Sequence, residues 1–305
     1  MRNKLIYVSS LLVALLLASA PAVAQTPLRV VVSFSVIADL VQRVAGDHAS
    51  VDVIVPPGED AHRWELTPPN VLALEETDLV FYNGFELEPW LRDVQAIVED
   101  ELPMVGLAEH ADYPTLPLTI GRYQGGANPH MWMAPQGAAA YVDVIADTLS
   151  EHAPDHAEAF SQRAADLKQT LAELDADIQE RLGGIPQTNR TLVTSEAGFA
   201  YFADAYDFEY TALWGVNHET QGNAAAMAHL QAKLANTRPP ALFFESTTPK
   251  IHMDAQARYA DLPLAGPLYV DALSGSDGPA TDYIAMLRHN TELLHAALGG
   301  AREED

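Results

Sequence analysis

Phe160, Ala164, Leu167, Leu171, Leu174, Ile178 and Leu182 recur three or four residues apart, with acids and bases filling most positions between them. That spacing predicts one continuous amphipathic helix from Asp155 to Leu182, about 28 residues and roughly 42 Å long. Gly183, Gly184 and Pro186 stop it. One half of a helical hairpin, or a coiled coil, would produce the same stripe. No second pattern of similar length accompanies it, so the helix reads as a strut joining two lobes.

Both flanks of the strut alternate short β-rich runs with helical patterns. Leu28 to Phe34 is strand-like, and Val36, Ile37, Leu40, Val41 and Val44 then mark one helix face closed by Gly46. Val51 to Val55 is a second strand, ended by Pro56-Pro57-Gly58. Thr67 caps a helix that opens on Pro68 and runs through Glu75, and Leu79 to Tyr82 is a third strand. The rhythm returns with Thr191 to Thr194, Thr211 to Trp214, Ala241 to Phe244 and Leu268 to Val270. Such alternation implies an α/β protein of two βα lobes, with parallel sheets covered by helices. The chain's 305 residues suffice for two such units. The expected division is a signal peptide at 1–24, a lobe at 25–151, a linker helix at 152–183 and a second lobe at 184–305.

The signal peptide rests on Arg2 and Lys4, the apolar run from Leu11 to Leu17, and the small-x-small site Ala22-Val23-Ala24 before Gln25. A retained anchor helix is the competing reading, but the apolar stretch is short and ends in a processing signature. Lys and Arg number 17 against 42 Asp and Glu, a formal charge of −25, and removing Arg2 and Lys4 makes it more negative still. Phosphate backbones and anionic lipid headgroups would be repelled, so no nucleic-acid partner is expected, whereas cations are natural ligands. The chain has no cysteine. That excludes disulfides, thiolate metal sites, cysteine nucleophiles and a lipid-modified N-terminal cysteine, so a periplasmic protein without a lipid anchor is expected.

Ligands of open α/β sheets bind beyond the carboxyl ends of strands. His62 follows the second strand through Pro56-Pro57-Gly58-Glu59-Asp60-Ala61, Glu196 lies two residues beyond Leu192-Val193-Thr194, and Asp271 directly follows Tyr269-Val270. His130, in Asn128-Pro129-His130-Met131-Trp132, precedes a helix opening near Pro135, with no clear strand before it. Two imidazoles and two carboxylates complete a ligand shell for a divalent transition metal. Each has a plainer reading: the histidines as hydrogen-bonded loop residues, Glu196 as a helix-dipole acid, Asp271 as a turn residue. His152 and His156, four apart, read as solvated positions. His218-Glu219 lacks the second histidine of a zinc-protease motif, because Gly222 stands there.

The segments Pro56 to His62 with Glu65-Leu66-Thr67-Pro68, Asn128 to Trp132, Thr194 to Phe202, and Asp271 to Ser274 with Asp282-Tyr283 and Arg288-His289-Asn290 resemble the metal-binding solute-binding proteins of manganese, zinc and iron ABC importers, cluster A-I type. The likeness spans essentially the whole mature chain in order. It implies two βα lobes bridged by one long rigid helix, with a metal cleft between them. Position by position it implies His62 and His130 from the first lobe and Glu196 and Asp271 from the second as ligands. It also implies a membrane permease as partner and places Glu245, in Phe244-Glu245-Ser246, beside the cleft. Members devoted to zinc often carry a histidine-rich loop and a third histidine. Tyr113 to Gly126 has no histidine and the third ligand position is Glu196, which resembles the manganese or iron branch. Thr247 to Pro263 matches the family less well.

The expected role is therefore capture and delivery of one divalent metal, manganese first, with zinc or ferrous iron as alternatives, by a monomer that is not an enzyme. No phosphate-binding Gly-x-x-x-x-Gly-Lys-Ser/Thr loop occurs in the chain, so ATP hydrolysis falls to a separate subunit. An exported metallohydrolase using the same four residues is the rival class, and it needs a general base such as Glu245 or Glu219 beside the metal. An adhesive surface protein with an incidental ion is a third, against which the lack of repeats and of an anchoring cysteine weighs.

Overall fold

A computed structural model describes residues 27–98, 101–216 and 224–299. The expected signal peptide, His218 and Glu219 lie outside the described residues.

Strands β1 (Leu28–Phe34), β2 (Ala49–Val55), β3 (Leu79–Tyr82) and β4 (Met104–Gly106) form one sheet in the order β2-β1-β3-β4, every pair parallel. Parallel neighbours need crossovers, and helices supply them. Between β1 and β2, α1 (Ser35–Ala45) buries the expected Val36, Ile37, Leu40, Val41 and Val44. Between β2 and β3, α2 (Pro68–Glu75) opens where Asn70 Oδ1 accepts the Thr67 backbone N–H at 2.9 Å, and Pro68 occupies the first turn, where its missing N–H costs nothing. Short helices α3 (Leu91–Gln95) and α4 (Leu107–His110) follow β3 and β4.

The second half holds β5 (Thr191–Glu196) parallel to β6 (Glu209–Trp214), and β7 (Leu242–Glu245) parallel to β8 (Leu264–Leu268), with β5 lying beside β7. All six residues of β5 are buried, the signature of a strand covered on both faces. Strand β8 corrects an expectation, since it covers Leu264–Leu268 where Leu268 to Val270 was expected. Gly266 and Pro267 read as a break in sequence. Here Gly266 adopts φ 134, and a Cβ on it would stand 2.7 Å from the Phe244 carbonyl oxygen, so glycine is what lets β8 approach β7.

Helix α5 (Pro135–His152) leads through a short turn into the long helix α6 (Ala157–Gly183), whose buried residues are the seven of the predicted stripe. Gln136 reaches Asp175 at 2.6 Å and Lys168 reaches Asp143 at 2.6 Å, so α5 and α6 run antiparallel. The hairpin set aside from the sequence is therefore present alongside the strut, because a buried stripe needs partners and α5, though shorter, supplies one. Helix α6 also packs on α1 and on α10 (Tyr283–Leu298), where Arg181 makes a two-pronged contact with Glu292 at 3.0 and 2.7 Å. The remaining helices α7 (Ala200–Ala205), α8 (Ala224–Thr237) and α9 (Ile251–Ala260) cover the second half's strands. A single apolar core joins β1, α1, α5, α6 and α10. Among the described residues no helix is long and apolar enough to cross a membrane.

Candidate metal centre

Each candidate ligand is placed by local sequence. Beyond β2, the turn at Pro56-Pro57-Gly58 leads to a single helical turn, Ala61–Arg63, and Asp60 Oδ1 accepts the His62 N–H at 2.9 Å. His130 is set by the same device, with Asn128 Oδ1 accepting the His130 N–H at 3.0 Å. An Asx residue two positions before each histidine thus fixes its backbone. No strand leads directly into His130, since α4 lies between it and β4 and its segment folds back through a bridge between Pro117 and Ala127.

Glu196 is the last residue of β5, which runs two positions beyond the strand end expected from sequence. Behind it, Glu245 accepts the backbone N–H of Ser195 and of Glu196, each at 3.1 Å, and the Tyr210 hydroxyl donates to the Glu196 carbonyl at 2.6 Å. Asp271 sits in the loop after β8, three residues past the strand rather than directly behind it. That loop is pinned to the first half, where Gly58 N–H donates to the Leu273 carbonyl at 2.9 Å and Leu273 N–H to Ser35 Oγ at 3.0 Å.

These four positions converge. His62 Nε2 lies 3.0 Å from Glu196 Oε1 and 3.6 Å from Asp271 Oδ1, and His130 Nε2 lies 3.4 Å from each of the same two oxygens. One donor atom from every residue falls within 4.8 Å of the others, and all four side chains are completely buried. Two ligand atoms, each about 2.1 Å from a tetrahedral metal, stand about 3.4 Å apart, and about 3.0 Å apart at a right angle. The observed spacings are those of atoms arranged around one centre.

Electrostatics agree. Burial alone would lower the pKa of His62, but Glu196 and Asp271 outweigh it and hold it well above the ordinary value of 6.5. His130 is raised in the same way. Asp271 is pushed up by burial and pulled further down by the two imidazoles, ending well below the carboxylate range. The two carboxylates thus favour positive charge at the centre, which is what a divalent ion would bring to it.

Sequence reasoning passed over Asp60, whose carboxyl burial pushes up to about 7, and Asn128, which bonds the ring of His130 as well as its backbone. The Asx-x-His spacing shared by both is the signal that finds them. Glu245 lies beside the cleft as the resemblance implied. Its carboxyl, raised to about 7 chiefly by burial, is engaged by two backbone amides and by Thr248. His152 is exposed, and His156 stacks on His48 with ring centres 4.2 Å apart, away from the four.

Comparison with known proteins matches residues 30–297 to the family described as zinc-uptake complex component A, periplasmic. The iron-binding protein YfeA of Yersinia pestis is 35% identical over 271 residues, covering 89% of this chain and 86% of that protein. The manganese-binding lipoprotein MntA of Halalkalibacterium halodurans is 32% identical over 271 residues, covering 89% and 88%. The solved manganese-bound periplasmic metal-binding protein of Candidatus Liberibacter asiaticus superposes with a TM-score of 0.81 at 25% identity, covering 89% of this chain and 99% of that one. These names correct the expected location. MntA and several streptococcal relatives are lipoproteins, a membrane-anchored class, which contradicts a protein held by no lipid. The lack of cysteine, on which that expectation stood, excludes only a lipid carried on a thiol of this chain. With its two α/β lobes, long helix and a family match over most of its length, the chain belongs to the zinc-uptake component A family, the metal-binding substrate-binding proteins of ABC importers.

Proposed function

We propose that this protein captures a divalent transition metal outside the cytoplasm and delivers it to the permease of an ABC importer, with ATP hydrolysis left to a separate subunit. The observation that carries the reading is the convergence of His62, His130, Glu196 and Asp271 on one buried centre at ligand-to-ligand distances. We assign these four as the direct ligands, His62 and His130 from a lobe at 25–151, and Glu196 and Asp271 from a lobe at 184–305, with 152–183 as the linker. The protein acts as a monomer and breaks no bond of its cargo.

Because all four ligands are closed off from solvent, an ion enters only when the lobes part. The continuous core and the clasp of α6 by α5, α1 and α10 favour a small rocking movement over a wide hinge. The metal stabilises the closed arrangement by bonding to both lobes, and the permease reads that closed face.

Manganese is the assigned cargo, with zinc and ferrous iron as the alternatives named among the relatives. Two carboxylates offer up to four hard oxygen donors, which suit a larger ion of higher coordination number better than a site of three histidines would. Test-tube affinity is a poor guide, since most nitrogen and oxygen sites bind zinc at least as tightly. Cellular uptake decides the matter: deleting the gene lowers manganese accumulation under metal limitation, and added manganese restores growth. Restoration by zinc alone, with manganese accumulation unchanged, reassigns the cargo to zinc.

A further inference from the structure

Asn128 is fully buried, and each of its polar groups is used. Its Oδ1 accepts the His130 backbone N–H at 3.0 Å and meets His130 Nδ1 at 2.8 Å. A backbone amide only donates, so the side-chain oxygen faces His130 and the amide nitrogen points away. That nitrogen donates to the Ala197 carbonyl at 2.8 Å, across the cleft and directly after Glu196. The Asn128 carbonyl accepts the Tyr201 hydroxyl at 2.9 Å, also from the second half, and its N–H donates to the Leu116 carbonyl at 2.8 Å.

The orientation of Asn128 settles the state of His130. An oxygen opposite Nδ1 requires Nδ1–H, which leaves Nε2 as the ring nitrogen that faces Glu196 and Asp271 and is available to a metal. The same side chain grips the backbone that follows Glu196. Among the described residues, the Asp60 side chain, which stands in the corresponding place before His62, bonds only its own histidine's backbone. The two histidine motifs of the first lobe are thus alike in local geometry and unlike in reach.

We infer that Asn128 is a positioning residue that couples the ligating tautomer of His130 to closure of the second lobe, through its bonds to His130 and Ala197. This deepens the proposed metal-capture function and rests on it. When the lobes part, Asn128 loses its hold on Ala197 and on Tyr201, its side chain is freed to turn, and His130 loses the partner that keeps Nε2 aimed at the ion. Release is therefore governed by Asn128 more than capture is.

The test uses the full mature protein, stripped of metal and loaded with manganese or with cobalt as a spectroscopic probe. Chelator-chase stopped flow gives the release rate and direct mixing gives the association rate. Asn128→Leu removes both arms at similar volume. Asn128→Asp keeps an oxygen for His130 and loses the donor to Ala197. Tyr201→Phe leaves the Asn128 side chain intact and removes two lobe-to-lobe bonds, the one its hydroxyl donates to the Asn128 carbonyl and the one it accepts from the Leu116 N–H at 3.1 Å. Asn128→Leu is expected to lose about 10- to 100-fold in affinity, the usual effect of removing an outer partner of a ligating histidine, mainly through faster release, and to shift the visible cobalt bands. Asn128→Asp is expected to speed release while leaving those bands near the parent's, and Tyr201→Phe to speed release by a smaller factor with the bands unchanged. Parent-like release in Asn128→Leu, or in Tyr201→Phe should Asn128→Leu fail to fold, overturns the coupling. If the parent itself binds neither metal, the metal-capture function fails instead.

Discussion

Nε2 of His62 stands 3.0 Å from Oε1 of Glu196, so an imidazole of the first lobe meets the last residue of the second lobe's buried strand. The carboxylates around His62 hold its pKa above the ordinary value, so a proton and a metal would compete for the same ring nitrogen. The centre is therefore tuned by pH in two ways, one through stability and one through affinity.

The imidazoles of His62 and His130 have raised pKa values in the fold, so their pairing contributes fully below the unfolded value of 6.5 and is lost as pH rises through the folded values. Asp271 is lowered, and its contribution is present above 3.8 and lost as pH falls below that. Asp60 and Glu245, pushed up to about 7, resist ionising in the fold and also disfavour high pH. Metal-free protein should be most stable in mildly acid solution and lose melting temperature from pH 6 to 8.5. Calorimetry across that range checks this, and a steady rise in melting temperature contradicts it.

Added metal reverses the trend. Each ion displaces up to two protons, so affinity falls by up to about 100-fold per pH unit on the acid side of the histidine values. A ligand that binds only the folded form at a thousandfold excess over Kd stabilises by about 4 kcal/mol. The melting shift with manganese should be large at pH 8 and nearly absent at pH 5. A shift independent of pH would show that the imidazoles are not being deprotonated.

Glu245 receives the amides of Ser195 and Glu196. Glu245→Ala strands two buried N–H groups, at about 1–3 kcal/mol for each group left unsatisfied, and loosens the strand end that presents Glu196. Urea unfolding should show a loss of about 3 kcal/mol and metal titration a drop in affinity of about tenfold or more. Glu245→Gln, which keeps one acceptor oxygen, should lose less on both measures. Equal affinities for parent and alanine variant would detach Glu245 from the site.

Gly198 packs against the loop that carries Asp271. A Cβ on it would lie 2.7 Å from Val270 Cγ1, closer than such atoms approach, and 3.6 Å from His130 Cδ2. Gly198→Ala should push Glu196 and Asp271 apart, with an overpacking cost of about 1–3 kcal/mol felt chiefly as weakened metal binding. Isothermal titration decides between that and a neutral replacement.

The long helix was legible because seven apolar residues at helical spacing survive any tertiary context, and β1, α1 and α2 because valine runs, Gly46 and Thr67-Pro68 are local signals. What misled was non-local. Gly266 and Pro267 disguise β8, whose register is set by the close approach of Phe244. The partnership of α5 with α6 is invisible because α5 is shorter and its pairing depends on the turn at 153–156. Of the centre, the four charged or ring-bearing residues stand out by chemistry, whereas Asn128 and Asp60 look like ordinary turn formers until their oxygens are seen against the histidines.

Anomalous diffraction at the manganese edge, on crystals of mature protein loaded with manganese after stripping, tests the central claim most directly. A single peak bonded to His62 Nε2, His130 Nε2 and carboxylate oxygens of Glu196 and Asp271 is the predicted result. A principal peak elsewhere, or one at this centre lacking either Glu196 or Asp271 as a ligand, would contradict the assignment of a metal shared between the two lobes.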